Sequence, residues 1–126
     1  MAESRKKILI VDDERDITEV LKKGLELAGF SVTTFNDPEE ASMYFQPTNY
    51  DLLLLDIRMP RMNGFELYKR LRIKDPAVKV CFLTAFEIYQ EEFKRVFPNY
   101  EIHCFIRKPT SIRQLAKILN EQLGQH

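Results

Sequence analysis

Three apolar runs in this chain each lead into charged residues. Ile8-Leu9-Ile10-Val11 runs into Asp12-Asp13-Glu14, and Leu52-Leu53-Leu54-Leu55 runs into Asp56. The run from Ile102 to Ile106 continues, past Arg107, into Lys108-Pro109. An unbroken apolar run with no polar alternation marks a strand buried on both faces, and such strands belong to parallel sheets covered by helices on each side. In an open α/β sheet the carboxyl ends of the strands share one edge, and ligands bind in the crevice there. The pattern therefore gathers three carboxylates and a lysine around one crevice. That arrangement suits a divalent cation and a phosphoryl group.

Between these runs the chain alternates strand and helix about five times. Asp13 can cap a helix near Glu14–Ala28, with Ile17, Val20, Leu21, Gly24 and Ala28 on its inward face and Gly29 as its stop. Val32 to Phe35 reads as a short second strand. Asn36-Asp37-Pro38-Glu39-Glu40 then opens a helix, with Asp37 as cap, Pro38 in the first turn and glutamates at the positive end of the dipole. Pro60 and Gly64 punctuate the loop after Asp56, and a helix from about Phe65 to Ile73 closes at Asp75-Pro76. Val78 to Leu83 is the fourth strand. Ile88, Tyr89, Glu92, Phe93, Val96 and Phe97 mark a fourth helix, stopped by Pro98-Asn99. Thr110 or Ser111 caps the last helix, which carries Ile112, Leu115, Leu119 and Leu123 on one face. Five βα units with short right-handed crossovers predict a doubly wound, flavodoxin-like parallel sheet of order 2-1-3-4-5 with helices on both faces. The whole chain, 1–126 with a core of about 7–123, is expected to form one domain.

Lys+Arg and Asp+Glu number 19 each, so the net charge is zero, and this argues against direct binding of nucleic acid. Arg5-Lys6-Lys7 reads as a solvated lead-in to the first strand. No apolar stretch reaches the length of about 20 residues that a membrane span needs. The first four residues carry no signal-peptide pattern, and the expected location is cytoplasmic. Cys81 and Cys104 sit in apolar runs, where buried reduced thiols are the default. A disulfide is geometrically possible if their strands lie side by side.

Each candidate site residue has a plain reading beside the chemical one. Asp12 and Asp13 could be a loop residue and a helix cap. Three carboxylates near one point repel unless a cation lies among them, however, and oxygen donors without clustered His or Cys favour Mg²⁺ over zinc. Asp56 could simply end a strand. Placed beside a metal, its carboxylate can act as a nucleophile toward phosphorus. Lys108 could be solvated, or could offer a point charge to a phosphate or to Asp56. A cis bond to Pro109 would aim its ammonium inward. Thr84, ending the fourth strand, could cap a turn or donate to a phosphoryl oxygen, with Ala85 leaving space beside it.

Taken together, these residues resemble the receiver domain of two-component response regulators of the chemotaxis-regulator kind. The resemblance rests on Asp12-Asp13, on Asp56 with Met59-Pro60 and Gly64, on Thr84-Ala85 and on Lys108-Pro109. It implies that Asp56 accepts a phosphoryl group from the phosphohistidine of a histidine kinase or phosphotransfer protein. It implies Mg²⁺ held by Asp13, Asp56 and the backbone carbonyl of Arg58, with Asp12 assisting. It implies that Lys108 contacts the phosphoryl group, that Thr84 swings toward it, and that Phe105 turns inward behind it. The surface of the fourth helix, fifth strand and last helix then changes shape for a downstream protein partner. The domain would transfer phosphate only onto itself and so is not expected to be an enzyme toward other molecules. It would be a monomer or a phosphorylation-linked dimer, with no membrane contact.

Some positions depart from the family pattern. The segment Val96-Phe97-Pro98-Asn99-Tyr100-Glu101 is bulky and lacks the small Gly-Ala pair frequent before strand five. Phe105 stands where Tyr is frequent. Arg58 and Phe86 each lie two residues beyond a site residue, and both are expected to overhang and tune the site, Phe86 by restricting attacking water. Two other classes remain beside this reading: a receiver-like scaffold that works without phosphorylation, and an aspartyl-phosphate phosphatase. The phosphatase would need a general acid two residues after Asp56, where Arg58 stands. A nucleotide or flavin binder would need a Gly-rich phosphate loop, where Asp12-Asp13-Glu14 is acidic instead.

Overall fold

A computed structural model describes residues 5–85, 91, 94, 95 and 104–124. The elements run β1 (Lys7–Val11), α1 (Arg15–Leu27), β2 (Ser31–Phe35), α2 (Pro38–Tyr44), β3 (Leu52–Asp56), α3 (Gly64–Lys74), β4 (Lys79–Thr84), β5 (Phe105–Arg107) and, labelled here as α4, the helix Ile112–Gln122. Ile88, Tyr89, Glu92, Phe93, Val96 and Phe97, which mark the expected fourth helix, lie outside the described residues, as do Phe86, Tyr100 and, from the fifth apolar run, Ile102 and His103.

The strands form one parallel sheet in the order β2-β1-β3-β4-β5, as the alternation of runs predicted. The consecutive apolar residues divide between two cores because successive strand residues point to opposite faces. Leu9, Val11, Leu53, Leu55, Val80 and Phe82 face α2 and α3. Ile8, Ile10, Leu52, Leu54, Cys81 and Leu83 face α1 and α4. Neither face of the central strands meets water, which is why β1 and β3 read as unbroken hydrophobic runs.

The helix ends follow local chemistry. The Asp37 carboxylate accepts from the Glu39 amide at 3.0 Å with Pro38 in the first turn, as expected. Asn63 and Glu66 form a reciprocal capping box at the start of α3. Ser111, rather than Thr110, caps α4 through the Gln114 amide at 3.1 Å. Leu115 and Leu119 of α4 are buried, with Ile112 and Leu123 packed beside them, as the helical spacing predicted.

Three expectations are corrected. Asp13 does not cap α1; the cap position is Glu14, without a side-chain hydrogen bond. The buried face of α1 is Thr18, Leu21 and Leu25, flanked by Ile17, while Val20 is 64% exposed and Ala28 is exposed. Leu25 and Thr18 lie one helical step from the predicted stripe, and it is the crossing of α1 over the sheet that selects between them. The third correction concerns the thiols. Cys81 and Cys104 are joined as a disulfide with Cα atoms 4.6 Å apart. The pairing of Phe82 with Phe105 brings the two residues preceding them opposite each other on neighbouring chain segments. Both cysteines are buried.

Candidate functional site

The sheet's carboxyl edge delivers the expected residues to one place. β1 ends one residue before Asp12, and the loop then carries Asp13. Asp56 is the last residue of β3, paired with Leu83 in β4, so Thr84 stands just beyond it on the next strand. Thr84 pairs with Arg107, and the Lys108 amide donates to the Thr84 carbonyl at 2.7 Å, carrying the alignment past the end of β5. The Lys108–Pro109 peptide is cis.

Asp12, Asp13 and Asp56 each offer a carboxylate oxygen, and these oxygens lie within 4.8 Å of one another. Asp12 and Asp56 are buried, whereas Asp13 is exposed. The Lys108 ammonium donates to Asp12 Oδ2 at 2.8 Å and lies 3.6 Å from Asp56 Oδ1. Its nearer partner is therefore Asp12, a distinction that sequence could not draw. Asp12 Oδ1 accepts from the Glu14 amide at 2.9 Å.

Charge balance at the pocket follows from this geometry. Asp56 is pushed from 3.8 up to about 7, by burial first and then by the charge of Asp12, with Asp13 adding to the rise and Lys108 pulling it back. One lysine does not offset three carboxylates. For Lys108, burial works to lower the pKa, but the Asp12 hydrogen bond and the charges of Asp12, Asp56 and Glu14 outweigh it and raise it above the ordinary value. The ammonium is thus fixed as a cation. The donor set is three hard oxygen ligands with no His or Cys among them, which fits Mg²⁺ and leaves coordination positions for water or phosphoryl oxygens.

The remaining predicted residues fall as follows. Arg58 lies two residues past Asp56, with an exposed side chain. Phe86 lies outside the described residues. The Phe105 ring is half-buried and stacks on Phe82 at 5.5 Å between centroids, and Phe82 in turn meets Phe65 edge-on at 5.0 Å. Phe105 is thereby connected to the α3 side of the core.

Two supporting residues gain roles that the sequence does not spell out. Gly64 punctuates the loop and belongs to the motif behind Asp56, and a Cβ there would collide with the Asp56 carbonyl. Its amide donates to the Ile57 carbonyl at 2.8 Å, so the start of α3 presses against the backbone that carries Asp56. Asn36 was read only as part of a helix opening. Its side-chain amide donates to the Asp12 carbonyl at 2.8 Å and to Thr18 Oγ1 at 2.9 Å. The Asn36 role leaves no local signal, because both of its partners are remote in sequence.

Comparison with known proteins agrees with the fold. Residues 8–120 match the family model of the response regulator receiver domain, and the chain belongs to that family. The alkaline phosphatase synthesis transcriptional regulatory protein PhoP of Bacillus subtilis is 37% identical over 87% of this chain and 45% of its own length. The chain therefore spans less than half of that regulator. A CheY-like receiver domain protein from Methanospirillum hungatei superposes with a TM-score of 0.83 at 30% identity, over 96% of this chain and 95% of that one. The response regulator protein TrrA of Thermotoga maritima, solved in complex with Mg²⁺-BeF, superposes with a TM-score of 0.78 at 32% identity, over 94% of this chain and 98% of its own. Membership of this family implies phosphorylation-based signalling. Among the described residues no helix is long and apolar enough to cross a membrane.

Proposed function

We propose that this chain is a phosphorylation-controlled switch whose acceptor is Asp56. The observation that carries this reading is the buried Asp56 carboxylate, set among Asp12, Asp13 and Lys108 with its pKa pushed up to about 7. The donor is the phosphohistidine of a histidine kinase or phosphotransfer protein. An Asp56 oxygen attacks phosphorus, the P–N bond breaks, and the imidazole leaves with the electron pair and takes up a proton. The product is an acyl phosphate on Asp56.

Asp12, Asp13 and Asp56, with the Arg58 carbonyl, would hold Mg²⁺ beside the reacting atoms. When bound, the cation supplies positive charge against the clustered carboxylates and the phosphoryl oxygens. Lys108 supplies a second, permanent charge to the transferring group, so the work of the site is positioning and electrostatics. Thr84 donates its hydroxyl to a phosphoryl oxygen. An apolar groove beside the pocket, lined by Ile17, Val20, Leu21, Leu83, Pro109 and Thr110, supports that edge as the approach of the donor protein.

The acyl phosphate biases an equilibrium between two packings. Thr84 moves toward the new anion, and the Phe105 ring, already stacked on Phe82, turns further inward behind it. The surface of β5 and α4 then meets a downstream protein, as a monomer or a phosphorylation-linked dimer. The domain works in the cytoplasm, contacts no membrane, binds no nucleic acid directly and turns over no substrate but itself. Intact-protein mass after incubation with acetyl phosphate and Mg²⁺ tests the reading. One added phosphoryl group is expected, absent in Asp56→Asn and in metal-free protein. No adduct, together with no binding of beryllofluoride, would establish a phosphorylation-independent scaffold instead.

A further inference from the structure

We propose that Asn36 is a positioning residue that aims the cation-binding carboxylates of the β1–α1 loop. The proposal rests on the Mg²⁺ site described above and assigns it a support outside the carboxylates themselves. Every polar group of Asp12 is held. Its amide donates to the Phe35 carbonyl at 3.2 Å, and its carbonyl accepts from Asn36 at 2.8 Å. Its carboxylate oxygens accept from the Glu14 amide and from Lys108. Two of these four partners come from the end of β2, and Asn36 is the one supplied by a side chain.

The carbonyl that Asn36 grips belongs to the Asp12–Asp13 peptide. Its orientation decides where the next residue, Asp13, points. Asp13 is exposed, so packing does not fix it. The second hydrogen of the Asn36 amide goes to Thr18 Oγ1, which in turn donates to the Arg15 carbonyl at 3.0 Å. Thr18 is buried in the first turns of α1. One side chain thus ties β2, the acidic loop and α1 together with both of its donors in use. Such outer partners orient first ligands and tune their hold on a metal.

The test is calorimetric titration of the full chain with Mg²⁺ alone. Asn36→Ala removes both donors. Asn36→Leu keeps the shape without either donor or any added charge, and serves if the alanine variant fails to fold. Each is expected to raise the Mg²⁺ Kd by about 10–100-fold, the usual effect of losing such a partner. With acetyl phosphate, the Mg²⁺ concentration giving half-maximal phosphorylation should rise in step, more than the plateau rate falls. Asp37→Ala is the control for stability alone. It removes the neighbouring α2 cap and lowers Tm, but should leave Mg²⁺ affinity as it is. Unchanged affinity in both Asn36 variants, or an equal loss in Asp37→Ala, would overturn the proposal while leaving the phosphorylation reading intact. A wild-type chain that takes up no Mg²⁺ would overturn both.

Discussion

In the folded protein Asp56 has its pKa pushed from 3.8 up to about 7, by burial and then by Asp12. Between those values the folded chain holds a proton that the unfolded chain has released. Stability therefore falls as pH rises through that window, and the penalty is complete above about pH 7. Asn cannot ionise, so Asp56→Asn should stabilise the metal-free protein. The gap from 3.8 to about 7, at about 1.36 kcal/mol per pH unit, sets a ceiling of about 4 kcal/mol. That shift already includes the attraction of Lys108 at 3.6 Å, and relaxation and water screening in the pocket reduce the expected gain to about 1–3 kcal/mol at pH 8. Urea denaturation from pH 4 to pH 8 in the presence of chelator measures it. The gain should be small near pH 4, grow toward pH 7 and then level off. Added Mg²⁺ should cancel or reverse it, since a cation stabilises the ionised wild-type cluster and has less to bind in the variant. A gain independent of pH, or a loss of stability at pH 8, would refute the electrostatic account of the pocket.

Other outcomes follow from neighbouring contacts. Lys108→Met should raise the Asp56 pKa further, because the lysine charge is what lowers it; carboxylate carbon NMR across a pH titration reads this, and an unmoved pKa would contradict it. Gly64→Ala should cost about 1–3 kcal/mol, since the added methyl meets the Asp56 carbonyl and the backbone must shift; a neutral result in chemical denaturation would refute the close approach. On α1, Leu25→Ala should cost about 2–5 kcal/mol and Val20→Ala about 0.5 or less, and equal costs would contradict the observed helix face. Cys81 and Cys104 should resist alkylation in denaturant and react only once a reductant is also present; labelling without reductant would show free thiols instead.

Much of the fold was legible because the chain punctuates it. Ile8 to Val11 and Leu52 to Leu55 are buried on both faces, so their composition alone announced central parallel strands. Asp37-Pro38 at the start of α2 and the Ile112, Leu115, Leu119 spacing in α4 are local signals, and they held. The face of α1 was less legible. Thr18 looks polar, yet it is buried because the Asn36 amide satisfies its hydroxyl, and Val20 looks apolar yet lies beside the groove near Lys108.

The sequence by itself determined the order of elements, the strand-end positions of Asp12, Asp56 and Thr84, and the family to which the chain belongs. These follow from hydrophobic runs, turn residues and motif spacing, which are all local in the chain. Tertiary structure alone decided which carboxylate Lys108 engages, how far burial raises Asp56, that Cys81 meets Cys104, and that Asn36 grips the acidic loop. Each of these depends on residues far apart in sequence that strand register and helix docking bring within a few ångströms. Distance and desolvation set those energies, and neither is written in the order of residues.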